Sequence, residues 1–176
     1  MPILQLSGIS MEFGGLRAID SVDLIVEDHQ IFGIIGPNGA GKTTIFNVIT
    51  GIYQPVEGTL FFKGRDLKKV PPYKIARLGV GRTFQNIRLF PKLSVLDNLR
   101  VSAHSISRVN VLSNMLGLPG ARREEKAIAQ KSGELLEMLG LYEKRMEFAD
   151  SLAYGEQRKL EIARALALEP SLLLLD

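Results

Sequence analysis

Glycines, a lysine and a threonine close together in one short segment give the strongest chemical signal in this sequence. The segment Gly36-Pro37-Asn38-Gly39-Ala40-Gly41-Lys42-Thr43 has the spacing G-x-x-x-x-G-K-T. Glycines let backbone N–H groups approach phosphate oxygens, because no side chain obstructs them. The lysine supplies a positive charge to the β- and γ-phosphates, and a helix that begins here adds the positive end of its dipole. The segment therefore predicts a nucleotide-binding phosphate loop.

A threonine of this loop and a distant aspartate predict a magnesium site. The hydroxyl of Thr43 can ligate Mg²⁺, and we expect Thr44 to reach the α-phosphate. Four leucines at 172–175 precede Asp176, which places a carboxylate at the C-terminal edge of a buried strand, where open α/β sheets bind ligands. Such an aspartate holds Mg²⁺ in P-loop proteins. These residues therefore predict a bound nucleotide together with Mg²⁺, and the family resemblance described below implies that the nucleotide is ATP.

The elements around the loop are predicted from hydrophobic patterns. Residues 31–35 (Ile-Phe-Gly-Ile-Ile) are apolar throughout, which predicts a strand covered on both faces. A helix is predicted from about Lys42 to Thr50, with Gly51 ending it. Other β-structure is predicted at 3–13, at 22–26, where Val22, Leu24 and Val26 alternate with polar residues, and in a turn and hairpin at 54–62.

Helical patterns dominate the middle of the chain. Ser94 with Asp97 resembles a capping box that opens a short helix. Apolar spacing predicts an amphipathic helix over 122–139 and another over about 156–168, ending before Pro170. Residues 107–121 are loop-like or weakly helical in pattern. We predict an α/β fold with a mixed sheet, an N-terminal antiparallel part and a helical insertion.

Composition fits a single globular domain. Hydrophobic residues make up 45% and charged residues 23% of the 176 residues, which argues against disorder. The absence of cysteine excludes disulfides and thiolate metal sites. No segment is apolar enough for a membrane-spanning helix or an export signal. The net charge of +3 fits either an anionic ligand, a membrane surface or simply solvated lysines.

Further motifs resemble one family. The run Ser-Leu-Ala-Tyr-Gly-Glu-Gln-Arg-Lys-Leu-Glu-Ile-Ala-Arg-Ala-Leu at 151–166 resembles the signature segment of ABC ATPases, whose usual core is L-S-G-G-Q. Thr-Phe-Gln at 83–85 resembles the family's Q-loop. Phe13 lies where an aromatic residue stacks on adenine in that family, with Ala18 nearby. On these motifs, which extend over nearly the whole chain, the sequence is identified as a member of the ABC ATPases, with a P-loop NTPase fold.

The resemblance implies roles for particular residues. Two such domains pair head to tail, and each ATP lies between one phosphate loop and the opposite signature segment. Gln85 contacts Mg²⁺ or the attacking water, so Gln85 and Asp176 are the candidate catalytic residues and Thr43, Gln85 and Asp176 the candidate metal ligands. The candidate nucleotide-binding residues are Phe13, Ala18, Gly36, Pro37, Asn38, Gly39, Ala40, Gly41, Lys42, Thr43 and Thr44. The candidate contacts to the partner's ATP are Leu152, Ala153, Tyr154, Gly155 and Glu156.

Three residues depart from the usual signature. Ala153 replaces its serine, Tyr154 its first glycine and Glu156 its glutamine. The hydroxyl contact to the partner's γ-phosphate is therefore missing. Backbone N–H groups and the dipole of the helix that starts after Gly155 can still bind an anion.

Some departures indicate a subtype. Leu-Ala-Tyr-Gly at 152–155, together with residues 81–90 and a stretched loop around 104–121, resembles the ATPase of branched-chain amino acid importers, and within that group the first of two paired subunits. The implied partners are a second ATPase subunit, membrane permeases and, indirectly, a substrate-binding protein, with no nucleic acid. The implied location is peripheral, on the cytoplasmic face of the cell membrane.

The resemblance also predicts the bounds of subdomains and implies that part of the domain is missing. We predict one domain with a binding core at 1–85, a helical subdomain at 86–157 and a return to the core at 158–176. The family's catalytic glutamate would directly follow Asp176, so the domain is expected to be truncated. As written, it is expected to bind ATP but to hydrolyse it poorly.

Other functions compete with amino-acid import. One is the ATPase of a lipid or lipopolysaccharide exporter, which Glu156 favours. A soluble ABC protein acting on ribosomes or DNA would usually have two ATPase domains or a long coiled coil, and a P-loop kinase would lack the signature segment. His29 and His104 are isolated, and we interpret both as structural or surface residues.

Overall fold

An antiparallel sheet is formed by the N-terminal part of the chain. In the computed structural model, which describes residues 2–106 and 119–176, strands β1 (Pro2–Phe13) and β2 (Leu16–Glu27) pair antiparallel. Strand β3 (Glu57–Phe62) lies on the other side of β1, and β4 (Arg65–Asp66) pairs with β3. The order is β2-β1-β3-β4. This confirms the predicted antiparallel part, with β2 longer than predicted.

A tight turn of two glycines joins β1 to β2. Gly14 and Gly15 have φ of 53° and 84°, and the flanking residues Phe13 and Leu16 face each other across the hairpin. Two-residue hairpin turns of this type need positive φ at both positions, which glycine adopts without steric cost. The turn therefore fixes the register of β1 on β2 and places Phe13 at the tip of the hairpin.

The predicted strand at 31–35 is wrong. Residues 31–37 have no regular structure, and neither sheet includes them among the described residues. Ile31 and Ile35 are fully exposed and Phe32 is also exposed. An interior strand depends on neighbours that accept its backbone hydrogen bonds and cover its faces. The described chain provides no such neighbour at this segment, so the apolar pattern alone does not make a strand.

The helix after the phosphate loop agrees with the prediction. Helix α1 (Lys42–Ile49) buries Ile45, Val48 and Ile49, which share one face. Gly51 follows the C-cap residue Thr50 and has a left-handed φ of 72°, as predicted for a glycine that terminates a helix. A short helix α2 (Pro72–Arg77) follows later, with Ile75 buried.

Three helices and a two-stranded sheet follow. The helices are α3 (Val95–Ile106), α4 (Pro119–Met138) and α5 (Tyr154–Leu166), and the strands are β5 (Val80–Arg82) and β6 (Leu172–Leu174). Short 3-10 turns lie at Tyr142–Lys144 and Ala149–Ser151. The helices pack through a shared apolar core, which consists of Val95, Leu99, Leu136, Leu141, Ala149, Leu152, Leu160, Ala163 and Ala167.

The helix predictions are confirmed with shifted starts. The N–H of Asp97 donates to the Ser94 hydroxyl at 3.0 Å, which caps α3 as predicted. In the described residues helix α4 starts at Pro119, three residues before the predicted start at Arg122. The predicted irregular stretch, and the stretched loop around 104–121, lie mainly at 107–118, outside the described residues.

The described chain divides into two compact units. One contains the residues up to Val80 together with Asp176, and the other contains 81–175. The predicted boundaries at 85 and 157 stay predictions. Strand β6 confirms the predicted strand before Asp176, although Leu175 is exposed and only Leu174 is buried. Among the described helices, none combines the length and apolar character needed to cross a bilayer.

Candidate functional site

The phosphate loop lies between β2 and α1 in the first unit. Its last glycine, Gly41, has φ 82° and forms the left-handed N-cap of α1. A Cβ at Gly41 would lie 2.9 Å from the carbonyl oxygen of Ala18 and 3.2 Å from a carbon of Ile19. Gly39 also has a left-handed φ, 84°. Both the dihedral and the close approach to β2 therefore require glycine at position 41.

The side chain of Lys42 closes back over this loop. Its ammonium donates to the carbonyl oxygens of Gly36 at 2.6 Å and Pro37 at 2.7 Å. The loop is further closed by a backbone bond from Ala40 to Pro37 at 3.2 Å. The ammonium thus lies among the predicted phosphate-binding residues. Both of these acceptors are carbonyl oxygens, so the two bonds do not neutralise its positive charge.

Thr43 and Asp176 come together although 133 positions separate them. The Thr43 hydroxyl donates to Oδ1 of Asp176 at 3.1 Å. Thr43 is exposed and Asp176 half-buried, so both oxygens are accessible. A hydroxyl and a carboxylate are hard oxygen ligands of the kind that Mg²⁺ prefers. The pair, located beside the lysine and the loop, fits the predicted metal site.

Phe13 and Ala18 lie on the hairpin of the same unit. The Phe13 ring is 40% exposed and meets the Tyr53 ring edge-on, with centroids 5.0 Å apart and planes at 71°. An exposed ring face can stack on a base. Ala18 is half-buried beside Gly41. The adenine role of these residues stays a prediction, and sequence reasoning missed Tyr53, which packs against the Phe13 ring.

Gln85 belongs to the second unit, where helix α5 holds its segment. Thr83 is buried, and its N–H donates to the carbonyl oxygen of Leu174 at 2.9 Å. The N–H of Phe84 donates to Oε1 of Glu161 at 3.0 Å. The Gln85 side chain is exposed, while its carbonyl oxygen accepts a hydrogen bond from Arg158. The backbone at Gln85 is therefore fixed and its amide side chain is free to contact a ligand.

The segment after Gln85 is held by residues that sequence reasoning missed. Asn98 in α3 is fully buried and accepts from the N–H of Phe90 at 2.9 Å. Its amide nitrogen donates to the carbonyl oxygens of Phe90, Leu93 and Ser94. Arg164 donates to the Arg88 carbonyl oxygen and to Ser102, and burial lowers the pKa of Arg164. Only a polar residue on the buried face of α3 could have signalled this.

The signature segment forms the start of α5. Leu152 is buried in the helical core and anchors it, whereas Ala153, Tyr154 and Gly155 are exposed. The first helical N–H groups, those of Tyr154 and Gly155, have no acceptor within the part of the chain that the structure describes. Unpaired N–H groups at a helix N-terminus can bind an anion.

Glu156, one of the departures, has a local structural role. Its carboxylate accepts from the N–H of Ala153 at 3.2 Å and pairs with Lys144 at 2.7 Å. The hydrogen bond from Lys144 holds the pKa of Glu156 below its ordinary value, and the Ala153 N–H acts in the same direction. The carboxylate therefore caps its own helix, and Lys144 offsets the negative charge that it brings to a candidate anion site.

The histidines do not join these sites. His29 and His104 are both exposed. Across the described ranges, no group of three or more His, Cys, Asp or Glu side chains is arranged to hold a metal ion. Thr43 and Asp176 offer two oxygen ligands, and a nucleotide bound at the loop could supply others.

Comparison with known proteins agrees with the motifs. A family model described as ABC transporter matches residues 19–176. The high-affinity branched-chain amino acid transport ATP-binding protein BraF of Pseudomonas aeruginosa is 46% identical over 175 residues, covering 99% of this chain and 69% of that protein. The corresponding protein LivG of Escherichia coli K12 is 43% identical with the same coverage.

A solved structure shows the same fold. The ADP conformation of an ATP-binding cassette of an ABC transporter is 32% identical, with a TM-score of 0.80 over 98% of this chain and 67% of that one. The predicted P-loop fold class is thereby confirmed. The chain spans about two thirds of the length of these proteins.

Proposed function

This chain belongs to the ABC transporter family, and we propose that it is the ATPase subunit of an importer of branched-chain amino acids. The main support for this substrate is the sequence identity of 46% and 43% to two transport ATP-binding proteins of that class, across 99% of the chain. The alternative lipid exporter was favoured by Glu156 alone. Because Glu156 caps α5 and pairs with Lys144, its presence has a local explanation.

We propose that the loop and α1 bind ATP. The residues that would hold the triphosphate are the loop backbone at 36–41, the ammonium of Lys42 and the hydroxyl of Thr44. Thr43 and Asp176, 3.1 Å apart, would hold Mg²⁺. When bound, Mg²⁺ supplies charge neutralisation between the phosphate oxygens. Phe13 would stack on the adenine, with Ala18 beside it.

The second anion site is proposed to serve another subunit. The phosphate loop of this chain already accounts for one triphosphate, so the N–H groups of Tyr154 and Gly155 are proposed to meet the γ-phosphate of a partner's ATP. Gln85 is proposed to orient the attacking water, which its fixed backbone and exposed amide allow. The partners proposed are a second ATPase subunit and membrane permeases, with the protein peripheral on the cytoplasmic face.

Uptake of labelled leucine tests this function. The full-length protein and its Lys42→Ala variant would be compared in the source organism, with Lys68→Ala as the control because Lys68 is an exposed lysine outside the site. We expect Lys42→Ala to abolish uptake and Lys68→Ala to leave it unchanged. Normal leucine uptake by a Lys42→Ala protein that has lost ATP binding, in cells with no other leucine importer, would contradict the substrate, and lipid export would then be measured.

A further inference from the structure

Arg158 in α5 donates hydrogen bonds from all five of its N–H positions. Its Nε donates to the Tyr154 hydroxyl at 3.2 Å, and its Nη2 to the same hydroxyl at 3.1 Å and to the Gln85 carbonyl oxygen. Its Nη1 donates to the Phe84 carbonyl oxygen at 2.8 Å and to Glu161 at 3.0 Å. A guanidinium has five donors in one plane. With every donor engaged, the position of that plane is fixed by its four neighbours.

Glu161 fixes the same backbone from the other side. Its carboxylate is buried, with the residue 5% exposed, and it binds both Arg158 and the N–H of Phe84. A buried carboxylate is stable when it is paired and hydrogen-bonded in this way. The N–H of Phe84 is therefore held by Glu161 and its C=O by Arg158, and the next C=O, that of Gln85, is held by Arg158 as well.

Tyr154 connects this network to the signature segment. It is the first residue of α5 and is 68% exposed. Its backbone N–H, like that of Gly155, has no acceptor in the described chain, while its hydroxyl accepts hydrogen bonds from Arg158. One residue thus contributes both to the candidate anion site and, through a single guanidinium, to the backbone of Gln85.

We propose that Tyr154 and Arg158 are positioning residues, which set the backbone of Gln85 according to whether the signature segment is bound to a partner's ATP. The inference rests on the proposed function, in which the signature segment meets a partner's ATP and Gln85 orients water. The usual signature has glycine at the position of Tyr154, and glycine has no side chain to make the link. Arginine is needed at 158 because lysine offers a point charge and three donors, which cannot bind four neighbours in one plane.

ATP turnover by the full-length protein, assembled with its natural partner subunits, tests the link. Tyr154→Phe removes only the hydroxyl, and we expect kcat to fall about threefold with KM for ATP unchanged. Arg158→Lys should lower kcat about tenfold, and the double variant should fall no further than Arg158→Lys alone. The matched controls are Tyr73→Phe and Arg123→Lys, both exposed and outside the network, which should leave kcat unchanged.

Three results would overturn the inference. The first is an unchanged kcat in Tyr154→Phe, and the second is a double variant whose loss equals the product of the two single losses. The third is a fall in kcat that is accompanied by a lower thermal midpoint, because this would indicate a merely structural contact. If Arg158→Lys fails to fold, Tyr154→Phe alone decides through its kcat and KM. Lys42→Ala distinguishes a failure of the proposed function from a failure of this inference. If Lys42→Ala keeps its ATP turnover, the proposed function itself is contradicted. If Lys42→Ala loses turnover but Tyr154→Phe keeps it, only the coupling through Tyr154 and Arg158 is contradicted.

Discussion

The hydroxyl of Thr43 donates a 3.1 Å hydrogen bond to the carboxylate of Asp176, so the first turn of α1 and Asp176, both in the first unit, meet at one pair of oxygens. This contact brings together residues 133 positions apart in the chain. It supplies two of the oxygen ligands that a hard divalent cation needs, next to the lysine that faces the loop.

Asp176→Asn keeps the shape of this pair and removes its charge. We expect the affinity for a fluorescent ATP analogue in the presence of Mg²⁺ to fall at least about tenfold, while affinity in EDTA changes little, because the amide is a poorer metal ligand. Fluorescence titration with and without Mg²⁺ checks this. Asp28→Asn, which changes an exposed aspartate on the loop after β2, is the control and should leave both affinities as they are. Equal losses with and without Mg²⁺ would contradict a role in holding the metal.

Gly41→Ala tests the close approach of the phosphate loop to β2. The new methyl group would combine a left-handed φ with a 2.9 Å approach to the Ala18 carbonyl oxygen. We expect a loss of about 2–4 kcal/mol in the free energy of unfolding, with ATP binding impaired. Gly64→Ala shares the left-handed φ, 73°, but meets no atom within 4 Å. It should cost only about 1 kcal/mol, so equal losses in chemical denaturation would show that the close approach has no energetic effect.

Glu156 should make stability depend on pH. Its pKa is lowered below the ordinary 4.5 by Lys144, so the folded state favours the ionised carboxylate. The stabilisation is complete above the unfolded-state pKa and disappears as the pH falls through the lowered folded-state value. We therefore expect Glu156→Gln to lower the thermal midpoint near pH 7 and to match the wild type progressively more closely below pH 4.5. Glu137→Gln, at an exposed position of α4, should show no such convergence, and a constant difference for Glu156→Gln would contradict the pairing.

Asn98→Ala tests the bonds that hold the segment after Gln85. The side chain is fully buried, and its loss would leave the N–H of Phe90 without its acceptor. The carbonyl oxygens of Phe90, Leu93 and Ser94 would lose one donor each, although each keeps a backbone donor. We expect a loss of about 2–4 kcal/mol in the free energy of unfolding, since unsatisfied buried polar groups are costly. Chemical denaturation measures it, with the exposed Asn86→Ala as control. A loss below that of Asn86→Ala would show that water replaces the amide.

The loop and its helix were predictable because local residue types decide them. Glycine at 41 and lysine at 42 act through their own backbone freedom and charge, and Gly51 ends the helix by its left-handed φ. The segment 31–35 was not predictable in this way. Its apolar composition indicates burial, but composition does not state which neighbour provides it, and the described chain leaves Ile31 and Ile35 exposed.

The network around Arg158 was out of reach for a different reason. Charged residues in a helix usually lie in solvent, so Glu161 carried no sign that its carboxylate would be buried. Its hydrogen-bond partner Phe84 lies 77 positions away in the sequence. The same holds for a second contact, in which Lys144 pairs with Glu156 12 positions away. Such contacts depend on how separate elements pack, and no local pattern encodes them.

The two hydrogen bonds from Lys42 to the carbonyl oxygens of Gly36 and Pro37 have a kinetic consequence. They hold the loop in its curved shape with the protein's own atoms, so its conformational entropy is lost during folding and not when a ligand arrives. The loop is in this sense preorganised, and the ammonium can exchange these two acceptors for ligand oxygens. We therefore expect association to be governed by diffusion and charge, and ligands of different affinity to differ chiefly in how long they stay bound.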